Sequence, residues 1–154
     1  KEKKLMVRIR DLEMGDIEAV SIMEAQSFSM PWSAKDFEQL VSDEKSLYLV
    51  AETDDRVVGC CGVTNVCGEG NINNVVVQEA YRGQGIAYAM MQELLVRGRE
   101  MGCTEFTLEV RVSNAPAIHV YQKLGFVSEG IRPRFYGKPV EDAMIMWIRE
   151  EVRQ

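Results

Sequence analysis

A strand that runs through a glycine-bearing turn into a long helix is the feature that most constrains this chain. An apolar run ends at Val77, the turn contains Gly83 and Gly85, and a helical pattern continues to about Met101. Such a junction directs unpaired backbone N–H groups and the positive end of a helix dipole at one point. Glycines there let a ligand approach the backbone more closely than a Cβ would. The pattern predicts an anion-binding turn, although a glycine loop that merely begins a helix has the same sequence features.

The turn matches neither of the common nucleotide-binding motifs. It lacks the Gly-Lys-Ser/Thr of a P-loop, and it lacks a G-x-G-x-x-G with an acidic residue about twenty positions later. The 154 residues include 18 Lys and Arg against 24 Asp and Glu, a formal charge of −6. Because affinity for a phosphate backbone comes from basic side chains, this balance argues against nucleic acid as the main partner and mildly favours a cationic one.

Hydrophobic patterns on both sides of the turn predict a mixed α+β fold. The expected strands are 5–10, 47–51, 57–66, 72–77, 106–112, 126–131 and 143–148, and the expected helices are 16–28, 33–41, 85–101 and 114–124. Ser33 with Asp36 resembles a capping box, and Gly102 and Gly125 are expected to end the last two helices. The expected inward face of the helix 85–101 comprises Ala87, Met91, Leu94, Gly98 and Met101. Strands and helices alternate in the second half of an otherwise antiparallel sheet, which predicts a local parallel pair and helices on both faces. The chain has no repeat, low-complexity stretch or Pro- or Ser-rich linker, so we expect one domain over 1–154.

The histidine and cysteine content limits the chemistry. His119 alone cannot build a two-histidine zinc site, and we expect it to be structural. The cysteines show neither a CxxC nor a paired metal-ligand spacing, so we expect no metal, reduced thiols and a cytoplasmic protein, with packing roles for Cys60, Cys61 and Cys103. No apolar run approaches the roughly 18 residues of a transmembrane helix, and the start shows no signal-peptide core.

The glycine turn also carries a family motif. Arg82-x-x-Gly85-x-Ala87 at a strand–helix junction resembles the Arg/Gln-x-x-Gly-x-Gly/Ala signature of the GNAT N-acetyltransferase superfamily. Further stretches resemble the bacterial ribosomal-protein-alanine N-acetyltransferases, and these are 31–33, 108–114, 117–118, 121–126, 134–136 and 141–143. The resemblance spans about residues 6 to 149. Ala87 stands where Gly is more usual, and 78–80 replaces a turn in which Asp or Pro is common.

The resemblance implies an acetyl-CoA N-acyltransferase fold, with acetyl-CoA as cosubstrate and its pyrophosphate held by the amides of the turn. The implied cofactor-binding residues are Val75, Val76, Val77, Arg82, Gly83, Gln84, Gly85, Ile86, Ala87 and Asn114. A backbone N–H of the splayed strand 74–77 is the expected donor to the oxygen of the thioester during attack.

Glu109 is the residue that we expect to act as a base. Strict alternation places Thr107, Glu109 and Arg111 on one face of a strand, and polar residues there indicate a cleft or solvent. On pattern alone, a solvent-facing carboxylate paired with Arg111 fits as well. The resemblance implies that Glu109 deprotonates the acceptor amine, directly or through water.

Tyr121 is the residue that we expect to act as an acid. It lies one helical turn after Ala117 and Ile118 on the inward face, where a core tyrosine with a satisfied hydroxyl is the usual explanation. The resemblance implies instead that Tyr121 protonates the departing CoA thiolate. Asn114 fits an ordinary N-cap, and the resemblance implies that it also contacts the cofactor.

These expectations describe direct acetyl transfer, in a ternary complex, to the α-amine at a protein N-terminus. The resemblance implies the N-terminal alanine of ribosomal small-subunit protein 18 as the acceptor, and a basic acceptor segment suits an acidic chain. Two alternatives stay open: the same chemistry on a small amine or a lysine side chain, and a non-catalytic acyl-CoA-binding regulatory module. We expect no nucleic-acid or membrane partner, and the oligomeric state stays open.

Overall fold

The computed structural model describes residues 6–28 and 30–150. Its strands are β1 (Arg8–Asp11), β2 (Ser46–Thr53), β3 (Arg56–Val66), β4 (Glu69–Val77), β5 (Glu105–Arg111), β6 (Val127–Gly137) and β7 (Val140–Ile148). Its helices are α1 (Ile17–Ser27), α2 (Ala34–Val41), α3 (Ile86–Glu100) and α4 (Ala115–Lys123), with single 3-10 turns at Met14–Asp16 and Glu79–Tyr81. The strands form one sheet in the order β1-β2-β3-β4-β5-β7-β6, and β4 and β5 are its parallel pair. The predicted α+β class is confirmed.

Two apolar cores lie on opposite faces of this sheet, so helices cover both faces as predicted. The larger core, under α3 and α4, includes Leu94, Phe106 and Tyr121. The smaller core, under α1 and α2, includes Val20 and Phe37. Burying these side chains from water on both sides provides the main driving force for the fold.

The parallel strands β4 and β5 pair over a short stretch and then separate. Their partners run from Glu69 with Glu105 to Asn71 with Thr107, and residues 72–77 of β4 continue without a partner in β5. On its other edge β4 stays paired with β3 as far as Val77. The separation opens a gap in the middle of the sheet, and one of its walls is the bare edge of β4.

Local capping signals predicted the helix ends well. Ser33 and Asp36 form the expected capping box at the start of α2, since each side chain accepts a hydrogen bond from the other residue's backbone N–H. Gly102 and Gly125 adopt the left-handed conformation just after α3 and α4, as predicted for C-terminal glycines. These are short-range interactions that the sequence itself specifies.

Some boundaries and faces differ from the predictions. Phe28 lies beyond α1 in extended conformation and is partly exposed, because the helix ends at Ser27. β4 begins at Glu69, and β6 extends to Gly137, because pairing with neighbouring strands continues further than hydrophobic alternation indicates. The buried face of α3 includes Met90 and Leu95, which the predicted face omitted. Leu5, the first residue of the first predicted strand, lies outside the described residues.

The cysteines are free thiols, as expected. Cys60, Cys61 and Cys103 are buried, and Cys67 is exposed at the turn before β4. His119 is exposed on α4. None of the described helices is long and apolar enough to cross a lipid bilayer.

Candidate active site

The bare edge of β4 carries backbone N–H groups that face the gap. The N–H of Gln78 donates to the carbonyl of Val58 in β3 at 2.8 Å. Because successive N–H groups of an extended strand point to opposite edges, those of Val77 and Val75 point away from β3 and into the gap. The N–H of Val76 points to β3, and its side chain packs in the smaller core. Of the three residues of β4 that were predicted to bind the cofactor, two therefore direct their N–H groups into the gap.

The glycine turn folds back on the end of β4. The Nε of Arg82 donates to the carbonyl oxygen of Val77 at 2.9 Å. Gly83 and Gly85 have φ angles of 77° and 81°, in the left-handed region that favours glycine. A Cβ at either position would meet no atom within 4 Å, so the space beside both glycines is open. The turn can thus receive a ligand directly against its backbone.

The start of α3 completes the predicted anion site. Gly85 is the N-cap of this 15-residue helix, and the first N–H groups of a helix have no acceptor within it. Ile86 and Ala87 contribute these N–H groups, while the side chain of Ile86 is buried in the larger core. Gln84 is exposed between the two glycines. A phosphate group beside this turn would find both free donors and a favourable helix dipole.

Glu109 lies on the face of β5 that carries α1 and α2. Its neighbours Leu108 and Val110 point into the larger core on the other face, and the Glu109 side chain is exposed. Arg111 is not its partner: the guanidinium pairs with Glu141 at 3.3 Å and donates to backbone carbonyls after β6. The pairing of Glu109 with Arg111, which pattern alone allowed, is therefore wrong.

Thr107 does not share the exposure predicted for this face of β5. It is buried, and its hydroxyl donates to the carbonyl of Met146 at 3.1 Å. The reason is its position, because Thr107 is opposite Asn71, where β4 and β5 are still paired. The open part of the face begins beyond it.

Tyr121 reaches the larger core from α4. Its ring is buried and packs edge-on against Phe126, with the centroids 6.0 Å apart. Burial raises the pKa of its hydroxyl, with smaller contributions from Cys61 and Tyr136. No described residue forms a hydrogen bond with this hydroxyl, so the satisfied core tyrosine of the alternative interpretation is not observed. A neutral phenol with an uncommitted proton can serve as a donor.

Tyr136 in β6 lies beside Arg111 and is partly buried. The Arg111 guanidinium lies 4.3 Å from the centre of the Tyr136 ring. Burial raises the pKa of Tyr136, and the charge of Glu109 raises it further. Tyr136 in turn makes a small contribution to the raised pKa of Tyr121. Glu109 and Tyr121 themselves lie on opposite faces of the sheet. The sequence resemblance included Tyr136 without assigning it a role.

Asn114 is confirmed as the N-cap of α4. Its Oδ1 accepts a hydrogen bond from the N–H of Ala117 at 3.3 Å, and the residue is exposed. Its contact with a cofactor stays a prediction. Within 6–28 and 30–150, no group of three or more His, Cys, Asp or Glu side chains converges to hold a metal ion.

Two residues near the gap were missed by the sequence analysis. Glu24 is a carboxylate on the buried face of α1, four residues after Val20, and Asn74 is in β4 with a left-handed φ of 56°. The Asn74 side chain donates to Glu24. Glu24 falls at a helix position that the 3.6-residue period assigns to the core. A charged residue at such a position was the sequence signal that could have identified it. The Asn73-Asn74 pair within an apolar strand was a weaker signal for the second residue.

Comparison with known sequences gives a consistent family. Residues 12–126 match the Acetyltransferase (GNAT) family. A [ribosomal protein bS18]-alanine N-acetyltransferase of Escherichia coli (strain K12) is 33% identical over 147 residues, which cover 92% of this chain and 96% of that protein. A Bacillus subtilis (strain 168) protein, to which the same activity is provisionally assigned, is 35% identical over 146 residues. The alignment covers 94% of this chain and 97% of that protein.

A solved structure shows the same architecture. The crystal structure of the ribosomal-protein-S18-alanine N-acetyltransferase from Escherichia coli superposes with a TM-score of 0.84 at 30% sequence identity. The superposition covers 97% of each chain. The described helices and strands thus share their arrangement with a protein named for acetyl transfer.

Proposed function

The chain belongs to the GNAT acetyltransferase family, as its motifs predicted, and from that premise we propose that it acetylates the N-terminal α-amine of a protein. GNAT acetyltransferases use acetyl-CoA. The Escherichia coli relative, which aligns along 96% of its length, is named a [ribosomal protein bS18]-alanine N-acetyltransferase, and the solved structure with the same fold is named for an alanine of ribosomal protein S18. We take that alanine as the first candidate acceptor, approached in a ternary complex with acetyl-CoA.

One observation carries this proposal: the base candidate and the acid candidate lie on opposite faces of the sheet that contains the gap between β4 and β5. Glu109 lies on the α1 and α2 face, and Tyr121 lies in the core on the α3 and α4 face. We infer that an acceptor and a thioester meeting in the gap would approach these two groups from opposite faces of the sheet. This arrangement favours transfer over a module that only binds acyl-CoA.

The cosubstrate would be held mainly by backbone groups. The turn at Gly83 and Gly85 has open space beside it, and the start of α3 supplies N–H groups for the pyrophosphate. Along the gap, the N–H groups of Val75 and Val77 would be available to the pantetheine arm and the thioester. Backbone donors of this kind are fixed before the substrate arrives, which suits them to stabilise negative charge on the thioester oxygen.

Glu109 would prepare the nucleophile. An α-amine has a pKa near 8, so most of it is protonated at neutral pH and cannot attack a thioester. Glu109 would take that proton, directly or through one water molecule, and the free amine would then form the new C–N bond. Holding the two reactants in one gap supplies further acceleration, because attack becomes effectively unimolecular.

Tyr121 would complete the reaction. When the tetrahedral adduct collapses, the C–S bond breaks, the electron pair leaves with sulfur, and the new amide nitrogen gives up its second proton to solvent. Because burial raises the pKa of Tyr121, its hydroxyl keeps its proton at neutral pH and can deliver it to the thiolate. Burial also raises the pKa of the Cys60 and Cys61 thiols, which disfavours an acyl-cysteine route.

An acceptor panel tests the proposed function. The rate of CoA release would be measured with a hexapeptide that begins with alanine and continues with basic residues, and with polyamines, amino sugars and N-blocked lysine peptides. We expect the alanine peptide to be the best substrate. Faster transfer to a small amine or a lysine side chain would contradict the proposed acceptor, and CoA binding without transfer to any amine would contradict the enzymatic function.

A further inference from the structure

Three buried side-chain atoms have no hydrogen-bond partner in the described part of the chain. They are Ser21 Oγ, Glu24 Oε2 and the hydroxyl oxygen of Tyr48. The carboxylate is the most costly of the three, since burying a polar group without a partner costs free energy and burying a charged group costs more. Glu24 is only 2% exposed. A carboxylate that is buried with one oxygen unpartnered calls for a physical explanation beyond packing.

The other carboxylate oxygen of Glu24 joins two distant segments. Oε1 accepts a hydrogen bond from the backbone N–H of Trp32 at 3.4 Å and another from the side-chain amide of Asn74. Trp32 lies in the link between α1 and α2, and Asn74 lies in β4. A single carboxylate therefore ties the α1–α2 link to the strand that forms one wall of the gap.

Asn74 is the point at which β4 most needs support. Its φ of 56° is uncommon for a residue other than glycine. It lies where the β3–β4 register shifts, between Cys60 and Gly62, as in a β-bulge. The thiol of Cys60 donates to the Asn74 carbonyl at 3.6 Å. Both the carbonyl and the side chain of this residue are thus held from outside β4.

The conformation of Asn74 sets the direction of the last residues of β4. A bulge re-aims the residues next to it, and the next residues along β4 include Val75 and Val77, whose N–H groups face the gap. The α1–α2 link belongs to the face of the sheet that also carries Glu109. Glu24 therefore contacts both the wall that would receive the thioester and the side from which the amine would approach.

We propose that Glu24 is a positioning residue for acetyl transfer, which holds the left-handed Asn74 and the Trp32 backbone in a fixed relation across the acceptor side of the gap. The role rests on the proposed function and deepens it. Glu24 touches neither reactant and exchanges no proton with them. It acts through Asn74, by keeping the N–H groups of β4 aligned with the developing oxyanion.

Substitutions at Glu24 separate positioning from charge. Glu24→Gln keeps an oxygen that can accept from Asn74 and Trp32, whereas Glu24→Met has similar length and no acceptor. Glu18→Met is the matched control, because Glu18 is exposed on the same helix. With the alanine hexapeptide, we expect Glu24→Met to lower kcat at least about tenfold, since small misplacements have large effects on transfer. We expect Glu24→Gln to stay within about threefold of the parent and Glu18→Met to be unchanged.

Stability provides the readout that distinguishes positioning from a structural role. Glu24→Met removes a buried carboxylate oxygen that has no partner, and this gain opposes the loss of the acceptor that Asn74 and Trp32 use. We therefore expect Glu24→Met to melt at the same temperature as the parent or higher while turning over more slowly, with acetyl-CoA affinity within about twofold. A Glu24→Met enzyme with normal kcat would overturn the proposal. So would a Glu24→Gln enzyme as slow as Glu24→Met, or a loss of rate that only follows a loss of folded protein.

A measurement without catalysis keeps this claim distinct from the proposed function. The backbone chemical shifts of Asn74 report its left-handed conformation, and we expect them to change in Glu24→Met and to persist in Glu24→Gln. If the parent protein transfers acetyl to no amine, the proposed function fails while the shifts still test the contact. Unchanged Asn74 shifts in Glu24→Met would overturn the positioning role even in an active enzyme.

Discussion

Glu109 and Tyr121, the proposed base and acid, lie in different environments. Glu109 is exposed on β5 and free of Arg111, whereas Tyr121 is buried and its pKa is raised by that burial. The single histidine of the chain is exposed on α4. A carboxylate and a phenol are therefore the acid–base pair that we propose for transfer.

Removing either group should slow chemistry more than binding. We expect Glu109→Gln and Tyr121→Phe each to lower kcat by about 100-fold or more, the usual contribution of a general acid or base. The affinity for acetyl-CoA, measured by calorimetry, should change little, because the turn and the start of α3 are untouched. Normal turnover in both variants would contradict the assigned roles.

A separate residue-scale prediction concerns stability at the start of the chain. Arg10 in β1 donates to both oxygens of Asp16 at 2.7 and 2.9 Å and also pairs with Glu52 in β2. The hydrogen bond from Arg10 is the main cause that lowers the pKa of Asp16 below 3.8. A carboxyl with a lowered folded-state pKa stabilises the fold above its unfolded pKa, and that stabilisation is lost as the pH falls through the folded value.

Asp16→Asn tests this contribution. We expect the variant to lose about 1–3 kcal/mol of unfolding free energy at neutral pH, as for a hydrogen bond to a charged group. The difference from the parent protein should shrink as the pH falls below 4, and urea denaturation at several pH values would measure it. A difference that is constant with pH would contradict the ion-pair explanation.

Among the elements, the strand–turn–helix unit is the one on which cosubstrate binding depends. Gly85 begins α3 with φ 81° and has open space where a side chain would stand. Gly102 follows the C-terminal end of the same helix and also has a left-handed φ, of 100°. The two glycines share a backbone requirement and differ in position relative to the gap.

Alanine at these two glycines separates strain from ligand contact. Both Gly85→Ala and Gly102→Ala should lose about 1–2 kcal/mol of stability, because a left-handed alanine is strained. We expect Gly85→Ala alone to weaken acetyl-CoA binding, by about tenfold or more, since its Cβ enters the space meant for the ligand. Equal effects of the two variants on acetyl-CoA affinity would contradict the assignment of the turn.

The elements that the sequence predicted best are those specified by short-range interactions. The capping box at Ser33, the cap at Asn114 and the glycines after α3 and α4 depend on neighbours within a few residues. The bulge at Asn74 depends on pairing with β3 and on Glu24, which lies 50 residues earlier. Thr107 was misjudged for the same reason, because its burial depends on where β4 and β5 separate. Alternation within one strand carries no information about its partner.

For the whole molecule, we propose that the described residues act as one GNAT domain in which a single gap serves both substrates. The sheet joins every strand from β1 to β7, and the two cores lie on its two faces. Specificity for the acceptor would then reside in segments around that gap, such as the α1–α2 link and the end of β6. The net charge of −6 for the whole chain suits a basic acceptor segment.

The position of the transferred acetyl group tests this account most directly. A peptide with an N-terminal alanine and an internal lysine would be incubated with the protein and acetyl-CoA, and tandem mass spectrometry would locate the modification. Two controls are the same peptide with a blocked N-terminus and the Glu109→Gln variant. We predict acetyl on the α-amine of alanine, none on the blocked peptide, and slow formation by the variant. Acetyl on the lysine, or an unmodified peptide beside normal acetyl-CoA binding, would contradict the account.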